Sequence, residues 1–177
     1  MPDFLFSPLV ANGVGVLALT ITVTAMARKS DRGLLAIIAT GVAFWALHYG
    51  LMGSKSGAIV HAIAAVGIFC AHWTQNAPLG RRAVLATVFA TLGVSGSAWF
   101  GTGLADVFSA VGCIVLTFSE HTLRGVPRRK GMILGQCIFL LYAIQLGSVP
   151  GMAVTSITAL AGLVGLRRLA LANASPA

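Results

Sequence analysis

The stretch Leu47–Ile63, LHYGLMGSKSGAIVHAI, decides the fold. Two apolar runs flank a short corner, GSKSG, which begins at Gly53. A second corner, GSVPG, begins 94 positions later at Gly147 and again lies between apolar runs. Glycine just after a helix adopts the left-handed conformation that ends the helix. Because each corner has only five residues, its two helices must be antiparallel neighbours. Each corner therefore predicts a helical hairpin.

The composition indicates that lipid surrounds these hairpins. Hydrophobic residues make up 57% and charged residues 9% of the 177 residues, whereas soluble domains have ~45–50% and ~25%. Too little polar surface remains to cover a soluble core, so we expect an all-α polytopic membrane protein whose first partner is the lipid bilayer. The retention of Lys and Arg in cytoplasmic connections explains the net charge of +8, so no nucleic-acid partner is expected.

Seven apolar runs predict seven transmembrane helices. Several runs are shorter than the ~20 residues that cross a bilayer, but local thinning of the bilayer and snorkelling of flanking cations accommodate short spans. Polar and apolar residues do not alternate along the runs, as they would in membrane strands. The predicted spans are Pro8–Ala27, Leu34–Met52, Ala58–Trp73, Ala83–Phe100, Leu104–Ser119, Met132–Leu146 and Met152–Leu166.

The positions of the cations predict the orientation of the chain. With the N-terminus outside, the outer connections contain one cation, Lys55, and the inner connections contain the other 11 of the 12 Lys and Arg residues. Cytoplasmic connections carry such an excess of cations, so we expect the N-terminus outside and the C-terminus in the cytoplasm. The inner cations are Arg28, Lys29, Arg32, Arg81, Arg82, Arg124, Arg128, Arg129, Lys130, Arg167 and Arg168.

An internal repeat relates the two halves of the chain. A shift of 94 positions aligns Ala39–Val66 with Ile133–Leu160 without a gap, and eight of the 28 pairs are identical. Three spans invert the chain and a fourth restores its direction, so two three-helix units joined by a linker helix insert parallel to each other. The alternative is that glycine-cornered apolar hairpins resemble one another without duplication. The identical pairs are Gly41/Gly135, Leu47/Leu141, Gly53/Gly147, Ser54/Ser148, Gly57/Gly151, Val60/Val154, Ile63/Ile157 and Ala65/Ala159.

The repeat divides one membrane domain, residues 1–177, into four segments. Residues 1–75 form the first three-helix unit and residues 76–101 the linker helix. Residues 102–170 form the second unit, and residues 171–177 a cytoplasmic tail.

Several stretches resemble a known family. ANGVGVLAL followed by RKSDRG, then HYGLMGSKSGAIVHAI, and later Gly147–Leu166 are similar to the YgjV family of bacterial inner-membrane proteins. The resemblance covers about Val10 to Arg168, through glycines and small residues rather than a catalytic signature. It implies a multi-pass protein of the bacterial inner membrane. The arrangement also resembles the SWEET and PQ-loop sugar transporters, although Thr24 and Ala25 stand where those proteins have a Pro-Gln pair.

Six polar residues within the spans are candidates for binding a solute. Polar side chains at membrane depth face the bundle interior and mark function. With a rise of ~1.5 Å per residue, the two histidines of the opening stretch lie ~6–8 Å below the outer corner, and the other four also fall in the outer part. We expect all six to line an outward-facing cavity between the two units. In register pairs, the candidates are Asn12/Asp106, His48/Tyr142 and His61/Thr155.

Plainer interpretations accompany several of these residues. Asp106 suits a helix N-terminus and could simply cap the fifth helix, and the histidines could make interhelical hydrogen bonds. Two histidines without a third ligand do not predict a metal site, and no cofactor is expected. Glu120 and His121, beside the basic inner connection, are interpreted as a solvated helix end. The cysteines lie in apolar runs and are expected to be buried free thiols: Cys70, Cys113 and Cys137.

Two functions remain. The first is a small-solute transporter or facilitator, whose partner is a small neutral or polar solute. The alternative is a non-transport accessory protein, or one that binds lipid or another membrane protein. No enzyme is expected, because the spans contain no Ser/His, paired-acid or Cys/His constellation. The sequence leaves the oligomeric state open.

Overall fold

The computed structural model describes residues 8–28, 33–52, 55–100, 103–145 and 149–174. These residues form seven α-helices, which confirms the all-α class. The predicted corner residues Gly53 and Gly147 lie outside the described residues. The helices are α1 (Pro8–Ala27), α2 (Leu34–Leu51), α3 (Lys55–Thr74), α4 (Leu79–Phe100), α5 (Leu104–Thr122), α6 (Gly125–Gln145) and α7 (Val149–Ala174).

Two helices begin earlier than predicted. α3 begins at Lys55 and α7 at Val149, each three residues before the predicted start of its apolar run. Pro150 is the second residue of α7, in the first turn, where its missing N–H would have no intrahelical partner. The helix therefore starts before its apolar run does.

Within the described part of the chain, five helices are long and apolar enough to cross a membrane. α5 and α6 are not among them; α5 contains Asp106 and Glu120, and α6 begins with a basic stretch. The five candidate spans are Leu9–Ala27, Leu34–Leu51, Gly57–Thr74, Leu79–Phe100 and Gly151–Leu171.

The helices pack in a closed ring. Each helix packs against the next along the chain, α7 returns to α1, and α3 also packs against α5. Six helices therefore close the ring, while α4 lies against α3 and α5. Large apolar side chains such as Leu9, Trp73 and Trp99 are exposed, as expected for surfaces that face lipid.

Contacts within the ring follow the 94-residue register. A Cβ at Gly41 in α2 would lie 2.5 Å from Thr22 Oγ1 in α1, and a Cβ at Gly135 in α6 would lie 2.5 Å from Leu116 Cδ2 in α5. Gly41 and Gly135 are 94 positions apart, and so are Thr22 and Leu116. The same register relates the end of α2 to that of α6, and the start of α3 to that of α7.

The largest apolar core lies where α1 ends and α2 begins. Met26, Leu34 and Leu35 are fully buried there and pack with residues of α3, α6 and α7. We name this end of the bundle the inner end, because the predicted orientation places it on the cytoplasmic side. We name the opposite end, where α2 ends and α3 begins, the outer end.

We expect that Gly165→Ala opens the contact between α1 and α7. The new Cβ would overlap the backbone carbonyl oxygen of Met26, which cannot turn away as a side chain can. Overpacking of this kind costs about 1–3 kcal/mol. Gly13→Ala is the matched control, because nothing lies within 4 Å of its new Cβ. Thermal unfolding in detergent measures both variants, and equal melting temperatures would contradict this packing.

Candidate functional site

His48 joins α2 to α1 near the outer end. Its Nδ1 lies 2.7 Å from the carbonyl oxygen of Ala11, and because a carbonyl oxygen only accepts hydrogen bonds, Nδ1 donates. A Cβ at Gly15 would lie 2.9 Å from the same nitrogen. Glycine at this position of α1 therefore makes room for the imidazole. His48 thus makes the interhelical hydrogen bond named as its plainer role.

Tyr49 places an aromatic ring between the two predicted histidines. Its ring centroid lies 4.7 Å from that of His61 and 5.4 Å from that of His48. Trp45 extends the row, with its ring edge-to-face against His48 at 5.3 Å. Sequence reasoning missed Tyr49. Its position one helical turn after Trp45 was the available signal, since residues four apart share a helix face.

Electrostatic interactions connect this row to the second half of the chain. Tyr49 in α2 interacts with Tyr142 in α6, and Tyr142 interacts with Asp106 in α5. Within the first half, His61 interacts with His48. We name these five residues the outer polar cluster: His48, Tyr49, His61, Asp106 and Tyr142. The cluster therefore includes four of the predicted residues, together with one that was missed.

Asp106 caps its own helix. Its carboxylate Oδ2 accepts a hydrogen bond of 3.0 Å from the backbone N–H of Gly103. Its carbonyl oxygen accepts a 3.4 Å bond from the hydroxyl of Ser97 in α4. The plainer role expected for Asp106 is therefore observed.

A cavity of about 250 Å³ lies between α4 and α5 near the outer end. It therefore lies beside the predicted linker helix, whereas the sequence predicts a cavity between the two three-helix units. Of the six predicted residues, Asp106 lines it. Its walls are formed by Val94, Ser97, Ala98, Gly103, Asp106, Val107 and Ala110.

The remaining two predicted residues have other surroundings. The Thr155 hydroxyl donates to the carbonyl oxygen of Gly151, at 2.8 Å, within its own helix. Asn12 is exposed on α1, because the neighbouring Ala11 occupies the face that meets α2. No described contact places either side chain in the outer polar cluster.

A second polar group is buried at the inner end. The interpretation of Glu120 and His121 as a solvated helix end is wrong, because α4 and α6 pack on both sides of α5 and cover them. We name the buried group the inner charged cluster. Its members, with their exposed fractions, are Arg82 (7%), Glu120 (5%), His121 (1%), Arg128 (2%) and Arg129 (0%).

Arginines of this region bond to the ends of helices. Arg82 Nη1 donates to the carbonyl oxygens of His121 and Thr122, at 3.1 and 3.3 Å. Arg129 Nη1 donates to the carbonyl oxygen of Met26 at 2.8 Å. The last carbonyls of a helix have no intrahelical partner and carry a partial negative charge. The guanidinium groups therefore satisfy the ends of α5 and α1.

Three further arginines bond in the same way. Each bonds to a carbonyl oxygen at or just after a helix C-terminus. The bonds run from Arg168 to Ala27, at 3.1 Å, from Arg128 to Leu123, at 3.0 Å, and from Arg124 to Gln75.

The cysteines have different surroundings. Cys113 is buried and Cys70 is partly buried. Cys137 is exposed on α6, so the expectation that all three are buried is wrong for this residue. Within the described residues, no group of three or more His, Cys, Asp or Glu side chains could hold a metal ion.

Long apolar helices, an apolar outer surface and polar groups held inside define a polytopic α-helical membrane protein. The family model Imp-YgjV, described as a bacterial inner membrane protein, matches residues 9–173. The chain belongs to this family, which confirms the resemblance seen in its sequence. It is therefore a multi-pass protein of the bacterial inner membrane. No curated protein and no solved structure matched the chain.

We expect that Arg129→Met destabilises the fold. The substitution keeps an unbranched side chain but removes the donor to Met26, whose carbonyl oxygen is then left unsatisfied at a cost of about 1–3 kcal/mol. Arg81→Met, at an exposed position of α4, is the matched control. Unfolding in detergent compares the two variants, and an equally small effect of both would show that the buried guanidinium is dispensable.

Proposed function

We propose that this protein is a small-solute transporter or facilitator whose solute site lies between two parallel three-helix units. The outer polar cluster supports this proposal most directly. In it, a ring contact joins α2 to α3, and electrostatic interactions extend from α2 to α6 and from α6 to α5. Polar groups are costly at membrane depth, so a cluster shared by both halves indicates a pathway for solute or ions.

The ring of helices supports the proposed arrangement of the units. The packed pairs in the ring remain the same when each helix of the first unit is exchanged with its equivalent in the second, that is, α1 with α5, α2 with α6 and α3 with α7. For example, the contact between α1 and α7 becomes the contact between α5 and α3. The equivalent approaches at Gly41 and Gly135 agree with this exchange. α4 then serves as the linker helix that makes the second unit parallel to the first.

We extend the proposal to seven spans. α4 ends and α7 begins at the outer end, and both are long enough to cross the membrane. α5 packs along α4, and α6 packs along α7. α5 runs from the outer end, where α4 stops, to the inner end, and α6 runs back to the outer end, where α7 starts. We therefore propose that α5 and α6 cross the same thickness of bilayer as α4 and α7.

The chemistry of the outer polar cluster suits a small neutral or polar solute. The phenol of Tyr142, the carboxylate of Asp106 and the imidazole of His61 donate or accept hydrogen bonds from hydroxyl or amide groups. The ring of Tyr49 offers an aromatic face beside them. We propose no catalytic role for these groups.

The cavity between α4 and α5 favours a second candidate function, the binding of lipid. Val94, Ala98, Val107 and Ala110 contribute most of its walls, and an apolar cleft beside a lipid-facing helix suits an acyl chain. In this alternative the protein is an accessory component that binds lipid or another membrane protein. Binding of a fatty acid at this cleft, with no solute bound at the outer polar cluster, would favour it.

We expect the variant with Asp106→Asn, His61→Ala and Tyr142→Phe together to lose solute uptake. A thermal-shift screen of purified protein with polyols, sugars and amino acids first identifies a probe. Uptake of that probe into proteoliposomes should then fall at least about tenfold, which corresponds to 1.4 kcal/mol of lost interaction. Thr87→Ala, exposed on α4, is the control. Uptake that survives the triple variant would place the site elsewhere.

The orientation is a further proposal, supported by the arginines gathered at the inner end. The C-terminal ends of α1, α3 and α5 all accept bonds from arginine there, and cytoplasmic ends carry the excess of cations. We expect green fluorescent protein fused after Ala174 to fluoresce, and alkaline phosphatase fused at the same residue to be inactive. An active phosphatase would invert the topology.

A further inference from the structure

The two halves of the ring differ most in chemistry at the inner end. The 94-residue register pairs four apolar residues of α1 and α2 with four residues that can carry charge or bind a proton in α5 and α6. In the first half, these residues belong to the apolar core or pack against it. The pairs are Met26/Glu120, Ala27/His121, Leu34/Arg128 and Leu35/Arg129.

The positions equivalent to Glu120 and His121 are apolar in the first half of the chain. α1 packs on α2, and α5 packs on α6, with register-equivalent glycine contacts, yet the large side chains that the first pair buries at its inner end, Met26, Leu34 and Leu35, are all apolar. Burying an ionised group is far more costly than burying an apolar one. Where an apolar residue would be enough to pack the helices, a charged residue in its place inside a membrane protein indicates a function.

The tautomer of His121 follows from its hydrogen bond. Nδ1 lies 2.9 Å from the carbonyl oxygen of Thr117, so Nδ1 donates. In the neutral imidazole, Nε2 then carries the lone pair. Nε2 is buried and has no hydrogen-bond partner among the described residues, while the ring stacks on Phe89 at 5.8 Å. His121 therefore holds a buried basic nitrogen on the residue next to Glu120.

Every helix that packs against α5 carries charged or titratable groups. From α6, the positive charge of Arg128 acts on the carboxylate of Glu120. Most of the other groups are engaged elsewhere by the contacts described for them. They are Arg82 of α4, bonded to the end of α5; Arg129 of α6, bonded to Met26; His72 of α3, against the ring of Trp73; Arg124, bonded to Gln75; and Cys113 of α5 itself.

We propose that Glu120 and His121 are two reversible proton-binding groups at the inner end, which couple solute movement to proton movement. A proton from water at the inner face adds to a carboxylate oxygen of Glu120 or to Nε2 of His121. The same proton later returns to water, and no other bond is made or broken. The coupling rests on the proposed transport function, whereas the proton binding does not.

Protonation of Glu120 has a structural consequence at the contact between α5 and α6. The neutral acid no longer attracts the buried guanidinium of Arg128. The contact between α5 and α6 loses this attraction between opposite charges, so the inner end of α6 admits water or moves away from α5. This link between proton binding and helix packing is the coupling step.

The only glutamate in the chain is Glu120, so an isotope label on the glutamate carboxyl reports on this residue alone. Protein labelled with ¹³C at the glutamate carboxyl is reconstituted in phosphatidylethanolamine–phosphatidylglycerol vesicles and studied by infrared difference spectroscopy between acidic and alkaline pH. We expect a protonated-acid C=O band that shifts with the label and disappears in Glu120→Gln. A band that keeps its frequency in labelled protein, or the absence of a band, would overturn the proposal.

The pH titration of the same infrared band tests the role of His121. His121→Asn keeps a donor for Thr117 but removes the basic Nε2, so we expect the midpoint of the band's titration to move by about one pH unit. His72→Asn is the matched control, since its ring lies against the exposed Trp73. An unchanged midpoint in His121→Asn would contradict a role of His121 in proton binding.

Proteoliposome uptake separates the coupling from the transport function itself. With an imposed proton gradient, uptake of the screened solute should rise in the wild type and become independent of the gradient in Glu120→Gln. Uptake that ignores the gradient in the wild type overturns the coupling and leaves transport intact. A labelled Glu120 band without uptake of any solute supports the proton site and contradicts transport.

Discussion

The structure depends on the satisfaction of helix-end carbonyl groups where lipid offers no hydrogen-bond donor. The last carbonyls of each helix lack intrahelical partners, and unsatisfied groups are costly in a membrane. At the inner end, Arg129 reaches α1 and Arg82 reaches the end of α5. The bond of Arg129 and that of Arg168 to Ala27 also tie α6 and α7 to α1, which is distant in sequence. These two arginines therefore help to hold the ring closed.

The repeated and unrepeated features of the two halves have different physical roles. Close helix approaches at Gly41 and Gly135 recur because both halves solve the same packing problem. The polar groups do not recur in kind: His48 corresponds to Tyr142, and the apolar Met26 corresponds to Glu120. The shared features build the ring. The differences supply an outer polar cluster across both halves and an inner charged cluster in the second half.

Much of the fold was predictable because helix formation in lipid depends on local composition. The apolar runs predicted all seven described helices, and the family resemblance was confirmed. The predictions failed where a side chain's surroundings depend on a neighbouring helix. Glu120 was expected in solvent because it stands beside a basic connection, but α4 and α6 cover it. Tyr49 was missed because its partners Tyr142 and His61 lie on other helices.

The sequence by itself determined the helices, the lipid environment and the family, because these follow from residue types along a short stretch of chain. Only the tertiary structure decided which polar groups meet and which are buried. Arg129 and Met26 are separated by 103 positions and Tyr49 and Tyr142 by 93. No local pattern encodes such pairings, since they exist only after α7 has closed on α1 and α5 has packed between α4 and α6.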